Sequence, residues 1–237
     1  MKKSFISLFN IAFLILQLAG DIIYMIVGNP YLWKVFASLT FFIGGLVNLF
    51  YVVAHKSELK NNNSFKYIMI VGLFFAMLGD ILLIDYFVIG AGLFAVGHIW
   101  FFVAYCTLEK IKLRDILYAI TIFAFALAVE LLIPIFDYDG MTMLVIIYAF
   151  VISIMLGKAI SNYIGKRNSL AYFIIMLGSV LFFLSDLMLL FNVFGGVGIW
   201  ADSLCLIFYY PAEYLLAISI FYASKDGAVQ DGVVGVD

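Results

Sequence analysis

Charge is scarce in this chain: 12% of its 237 residues are Asp, Glu, Lys or Arg, and only 2 are His. Soluble domains carry about 25% charged residues, so a water-facing surface cannot be built from this composition. A net charge of −2 leaves no basic face for nucleic acid. The 2 cysteines, Cys106 and Cys205, lie inside apolar runs, which excludes a disulfide framework and a cysteine zinc site. P-loop, Gly-x-Ser-x-Gly and dinucleotide fingerprints are all missing. So are His-x-x-x-His and Glu-x-x-His spacings, and neither a metal nor an organic cofactor is expected.

What is present is oil. Hydrophobic residues make up 66% of the chain, aromatics 18%, and mean hydropathy is +1.16. About 20 apolar residues suffice for a helix to cross a ~30 Å hydrocarbon core. Eight such segments can be marked, near 5–27, 33–54, 66–85, 87–108, 114–135, 141–163, 169–191 and 200–222. The expected fold is therefore all-α, a polytopic membrane protein of eight transmembrane helices. Lys2 and Lys3 precede the first run, but it is too long for a signal-peptide core and no small-x-small site closes it. Residues 1–224 read as one transmembrane domain, and the glycine-rich, acidic 225–237 as a disordered tail.

Of the 13 Lys and Arg residues, Lys34 begins the second helix. The others fall at the N-terminus, in or beside the 2–3, 4–5 and 6–7 connections, or after the last helix. The opposite connections carry Asp85, Asp137, Asp139 and Asp202 without a basic residue. The positive-inside rule then places both termini in the cytoplasm, with a bacterial inner membrane the default location. Helices 1, 3, 5 and 7 run outward, and each holds one acid in its outer part: Asp21, Asp80, Glu130 and Asp186. Lys34 lies at the same outer level, His98 and Glu213 nearer the middle. Lys158, near the inner end of helix 6, is expected to snorkel to the interface.

Two of these acids sit in matching surroundings. "GLFFAMLGDILLID" (72–85) and "GSVLFFLSDLMLLF" (178–191) each place glycine eight positions before the aspartate, a small residue directly before it, and a double phenylalanine upstream. Helices 3 and 7 are four apart and run the same way, which suggests a four-plus-four parallel repeat. It also lets Asp80 and Asp186 face one another at one depth.

A charge at mid-bilayer costs roughly 2.5 to 3.5 kcal/mol on insertion scales, so such groups face partners or cavities. The plain alternative for each acid is a protonated interhelical hydrogen-bonder, worth about 0.6 kcal/mol. Four acids at one level beside a lysine and a histidine favour a polar cavity. His98, on a face with Phe94, Phe101, Phe102 and Tyr105, taken alone reads as a structural histidine. Pro211 loosens the helix beside Glu213. Two functions fit the constellation: a hydrolase using paired carboxylates, and a proton-coupled transporter using them as a relay. A non-catalytic lipid binder is a third.

The chain also resembles the YhhN-like lysoplasmalogenases, eight-helix membrane hydrolases. The resemblance rests on Gly79-Asp80 in helix 3, Ser185-Asp186 in helix 7, "GLFAVGH" ending at His98, "YAFVISIMLGKA" with Tyr148 and Met155, and the early Lys34. The chain departs from that pattern in Val35 after the lysine, Phe101 after the histidine, and Glu213 where a glutamine is usual.

The resemblance implies hydrolysis of the vinyl ether bond of a lysoplasmalogen, releasing a fatty aldehyde and glycerophosphoethanolamine or glycerophosphocholine. A vinyl ether resists base and cleaves when an acid protonates its alkene carbon, giving an oxocarbenium ion that water captures. Burial of two carboxyls together favours one protonated acid and one carboxylate partner. On this reading Asp80 and Asp186 are the catalytic pair with His98 orienting water. Lys34, Glu213, Tyr148, Asp21 and Glu130 contact a lysophospholipid drawn from the bilayer.

Overall fold

The computed structural model describes residues 3–27, 30–55 and 63–230. Eight helices follow one another: α1 (Lys3–Val27), α2 (Pro30–Ala54), α3 (Asn63–Leu82), α4 (Phe87–Leu108), α5 (Leu113–Leu132), α6 (Thr142–Gly165), α7 (Leu170–Val193) and α8 (Ile199–Gln230). Seven contain spans long and apolar enough to cross a membrane, and in α1 the described apolar stretch is Phe5–Gly20. This is an all-α polytopic membrane protein.

Several boundaries differ from expectation for local reasons. α3 stops at Leu82 rather than residue 85 because the chain turns through Leu83–Asp85. α5 stops at Leu132 because Ile133, which precedes Pro134, is extended, as a residue before proline prefers. α8 accommodates Pro211 internally and continues to Gln230, into the segment read as a tail. The remainder of that segment, 231–237, lies outside the described residues.

Glycines set the tightest helix approaches, as small residues do where lipid supplies no hydrophobic drive. A β-carbon at Gly72 would lie 2.5 Å from the Phe101 ring, and one at Gly90 would lie 2.6 Å from the Leu83 backbone, so α3 and α4 close on one another. The counterpart Gly178 packs against Ala212 and Leu216 of α8. The repeated glycine thus serves the same purpose in both halves: α3 closes on α4, and α7 on α8. Asn10 and Asn48 exchange amide hydrogen bonds of 3.0 and 2.9 Å, which fix α1 on α2.

α8 is the most enclosed span and packs against α1, α2, α3 and α7. α5 is the least enclosed; it packs mainly against α6 and reaches α7 through Phe125 on Phe183. Between α5 and its neighbours runs an apolar groove of about 310 Å³, floored by Phe102, Ala119, Phe123 and Phe150.

Candidate active site

At the end of the bundle where α2, α4, α6 and α8 begin and α3 and α7 finish, the helices converge on two carboxylates held in different ways. Asp80 is saturated. Its Oδ1 lies 3.1 Å from Lys34 Nζ, and its Oδ2 accepts from Tyr210 Oη at 3.1 Å. Ser38 Oγ is 2.7 Å from the same Oδ2 and 2.6 Å from the Lys34 carbonyl, so its single proton serves one acceptor at a time. Ser38 follows Lys34 by four residues, which puts both on one helical face. The glycine before Asp80 is required by packing, because a β-carbon at Gly79 would meet the Phe94 ring at 3.0 Å and the Gly90 carbonyl at 3.1 Å.

Asp186 is held on one side only. Tyr148 Oη donates to its Oδ2 at 2.8 Å, and His98 Nε2 lies 3.2 Å from that oxygen and 3.0 Å from Tyr148 Oη. Oδ1 makes no hydrogen bond among the described residues, and the side chain keeps 12% exposure. With Asp186 ionised, the geometry puts the histidine proton on Nε2 and leaves a bare lone pair at buried Nδ1. Ser185, directly before the aspartate, is buried against Cys205 of α8 at 3.4 Å.

No hydrogen bond joins Asp80 to Asp186 among the described residues. Their two networks meet through rings instead. Tyr210, which binds Asp80, packs on Tyr209 at 4.9 Å; Tyr209 packs on Phe182 at 5.4 Å; Phe182 packs on His98 at 4.5 Å. Both aspartates remain close enough to act electrostatically on Glu213.

Two clefts, each with about 60 Å³ of free interior, reach Asp186 and Tyr148. One lies among α4, α6 and α7 and is lined by Phe87, Ala91, Phe94, Leu144 and Leu189. The other lies among α5, α6 and α7 and is lined by Ala126, Ile152, Phe183 and Glu130. The α5–α6 connection is pinned against the neighbouring end of α7. Asp137 N donates to the Phe194 carbonyl at 2.8 Å, Tyr138 Oη to the Glu130 carbonyl at 2.8 Å, and Phe136 packs on Phe191 at 5.1 Å.

The YhhN family model matches residues 31–220. The chain belongs to the YhhN family. No curated protein sequence and no solved structure matches it. The matched range begins just before Lys34 and extends past Glu213, so it takes in both carboxylate networks of this YhhN protein.

The remaining candidate residues are placed less uniformly. Glu213 is wholly buried one helical turn after Tyr209, and neither carboxyl oxygen has a hydrogen-bond partner among the described residues. Asp21 falls in α1, but its side chain lies outside the described residues. Lys158 does not snorkel. It is fully buried, with Nζ 2.7 Å from Asp115 Oδ2 and 2.9 Å from the Lys110 carbonyl, while Ser161 also bonds Asp115. Asp115 begins α5 close enough to capture the lysine, so the charge is neutralised inside the bundle. Sequence reasoning did not single out Ser38 or Tyr210. Both carried a signal: the serine sits one turn from Lys34, and the tyrosine precedes Pro211 and Glu213 on a helix already under suspicion.

Proposed function

We propose that this YhhN protein is a lysoplasmalogenase, which cleaves the vinyl ether bond of a single-tailed ether lipid to a fatty aldehyde and a glycerophospho-alcohol. The observation that carries the reading is Asp186: one oxygen is held by Tyr148 and His98, while the other is unpartnered on a side chain that lines two apolar clefts. A carboxylate oriented on one side and open on the other suits a general base that takes a proton from water. Family membership and the enclosing helices are compatible with a hydrolase acting on a membrane lipid.

The two aspartates then have unlike tasks. Lys34, Ser38 and Tyr210 surround Asp80 with donors, and the lysine pairs it as an anion. A fixed anion in the same bundle stabilises a developing oxocarbenium ion through its field rather than by contact. Lys34 is committed to Asp80, so binding the substrate phosphate through this lysine would compete with that pair. The apolar clefts suit an alkenyl chain, with the headgroup left toward the outer surface.

Purified protein in detergent, given lysoplasmenylethanolamine or lysoplasmenylcholine, should release fatty aldehyde, and Asp186→Asn should abolish the release. If wild type released none, while Asp80→Asn and Asp186→Asn altered proton-linked uptake in vesicles, the chain would be a transporter instead.

A further inference from the structure

Vinyl ether cleavage needs a proton donor, and neither aspartate is built as one. Asp80 faces a lysine and hydroxyl donors, and Asp186 accepts from Tyr148 and is positioned to accept from His98 Nε2. Both carboxyls face donors and offer no proton to an acceptor. A third carboxyl shares the Asp186 cleft. Glu130 of α5 lines it together with Asp186 and Tyr148, and every other lining side chain is apolar.

Glu130 is 7% exposed, its Oε2 is buried without a hydrogen-bond partner, and neither oxygen meets a cation among the described residues. The titratable groups facing it are Asp186 of α7, Tyr148 of α6 and, over its backbone carbonyl, Tyr138 of the α5–α6 connection. None is a cation, so nothing among the described residues would pair a Glu130 carboxylate, and burying one unpaired is costly. Glu130 also enters its helix at the same depth as Asp186: residue 130 follows the α5 start at Leu113 much as residue 186 follows the α7 start at Leu170. The cleft, with about 60 Å³ free, is roomy enough for water between the two carboxyls by the usual requirement of ~10–15 Å³ per molecule.

We infer that Glu130 is the proton donor of this cleft, acting across from Asp186. The inference rests on the vinyl ether reading above and assigns its acid. The Glu130 proton forms a C–H bond at the alkene carbon distant from oxygen, leaving a Glu130 carboxylate and an oxocarbenium ion. Water adds to the cationic carbon and gives its proton to Asp186, which forms a hemiacetal. The hemiacetal C–O bond to glycerol then breaks. The leaving oxygen takes the proton from Asp186, and the hemiacetal hydroxyl returns its proton to Glu130 as the aldehyde forms. Both carboxyls finish as they began, and one water is consumed per bond cleaved.

The experiment uses the full chain in detergent with lysoplasmenylethanolamine. Glu130→Gln should lower kcat by about 100-fold or more with KM little changed, the size of effect expected for a positioned acid. Glu130→Asp should retain an intermediate rate. Wild type should show a large solvent isotope effect on kcat, since proton transfer to carbon is slow. One infrared band of a protonated carboxylic acid should disappear in Glu130→Gln and survive in Asp186→Asn.

If Glu130→Gln kept kcat within about threefold of wild type, far short of an acid catalyst's contribution, while Asp186→Asn was inactive, the assignment would be overturned and the hydrolase reading would stand. No aldehyde from wild type would remove both. Should Glu130→Gln fail to fold, Glu130→Asp decides: an unchanged kcat and isotope effect would sink the assignment.

Discussion

Lys34 Nζ lies 3.1 Å from Asp80 Oδ1, a buried ion pair that joins the start of α2 to the end of α3. Taking one partner away strands the other charge in the bundle, which costs about 3–5 kcal/mol. Lys34→Met should therefore lower the thermal midpoint in detergent substantially. Adding Asp80→Asn to that variant should recover most of the loss, because the stranded anion becomes neutral. If the Asp80 charge also stabilises the reaction's cation, the double variant should fold well and still release little aldehyde. Thermal unfolding followed by the aldehyde assay on the same preparations checks both halves.

Tyr148 and His98 grip the same oxygen of Asp186, and their contributions separate by substitution. Tyr148→Phe removes one hydrogen bond to a charged group, worth about 1.5–3 kcal/mol, so aldehyde release should fall about ten- to hundredfold if that bond strengthens in the transition state. His98→Gln keeps a donor within reach and should be milder on stability than His98→Leu. Should Tyr148→Phe leave kcat untouched, the tyrosine is merely packing and Asp186 needs another orienting group.

Much of this arrangement could be read from the chain because it depends on spacing alone. Apolar length gives the helices, basic loops give an expected orientation, and the glycine eight before each aspartate marks where α3 and α7 pack closely. What could not be read is helix rotation. Whether Asp80 turns toward Asp186 or toward Lys34 depends on the azimuth of α3 against α2, and no periodicity in so uniformly apolar a helix reports it. The same blindness left Glu130 as one of four acids at a common level, and only the cleft reveals that it shares space with Asp186. Lys158 was misjudged for a related reason: its partner Asp115 lies 43 residues away on a neighbouring helix.

Glu213 is wholly buried, and both its carboxyl oxygens are unpartnered among the described residues. An unsatisfied buried polar group costs about 1–3 kcal/mol, so an apolar side chain of similar length should relieve it. Glu213→Met is expected to raise the thermal midpoint. A chain that keeps a destabilising group at the centre of its bundle commonly does so for function, and loss of aldehyde release in the same variant would locate that function. A drop in stability would instead mean that Glu213 has partners beyond the protein's own side chains, such as a bound water.

Glu109, at the C-terminal end of α4, offers a pH test away from the site. Its Oε2 accepts from Lys112 Nζ at 2.8 Å, and its Oε1 lies 4.0 Å from Lys166 Nζ. Partial burial pushes its carboxyl up, but the Lys112 hydrogen bond and the Lys112, Lys166 and Lys158 charges outweigh it and bring it below its ordinary 4.5. A lowered acid stabilises the fold fully above its unfolded value, and that stabilisation is lost as pH falls through the folded one. Both lysines are largely exposed, so screening holds the pair to about 0.2–1 kcal/mol. Glu109→Gln should unfold at a slightly lower temperature than wild type near neutral pH. The two should converge once the carboxyl is protonated, and molar salt should narrow the gap at every pH. A gap that persisted in strong acid would trace to packing of the Glu109 stem rather than to its charge.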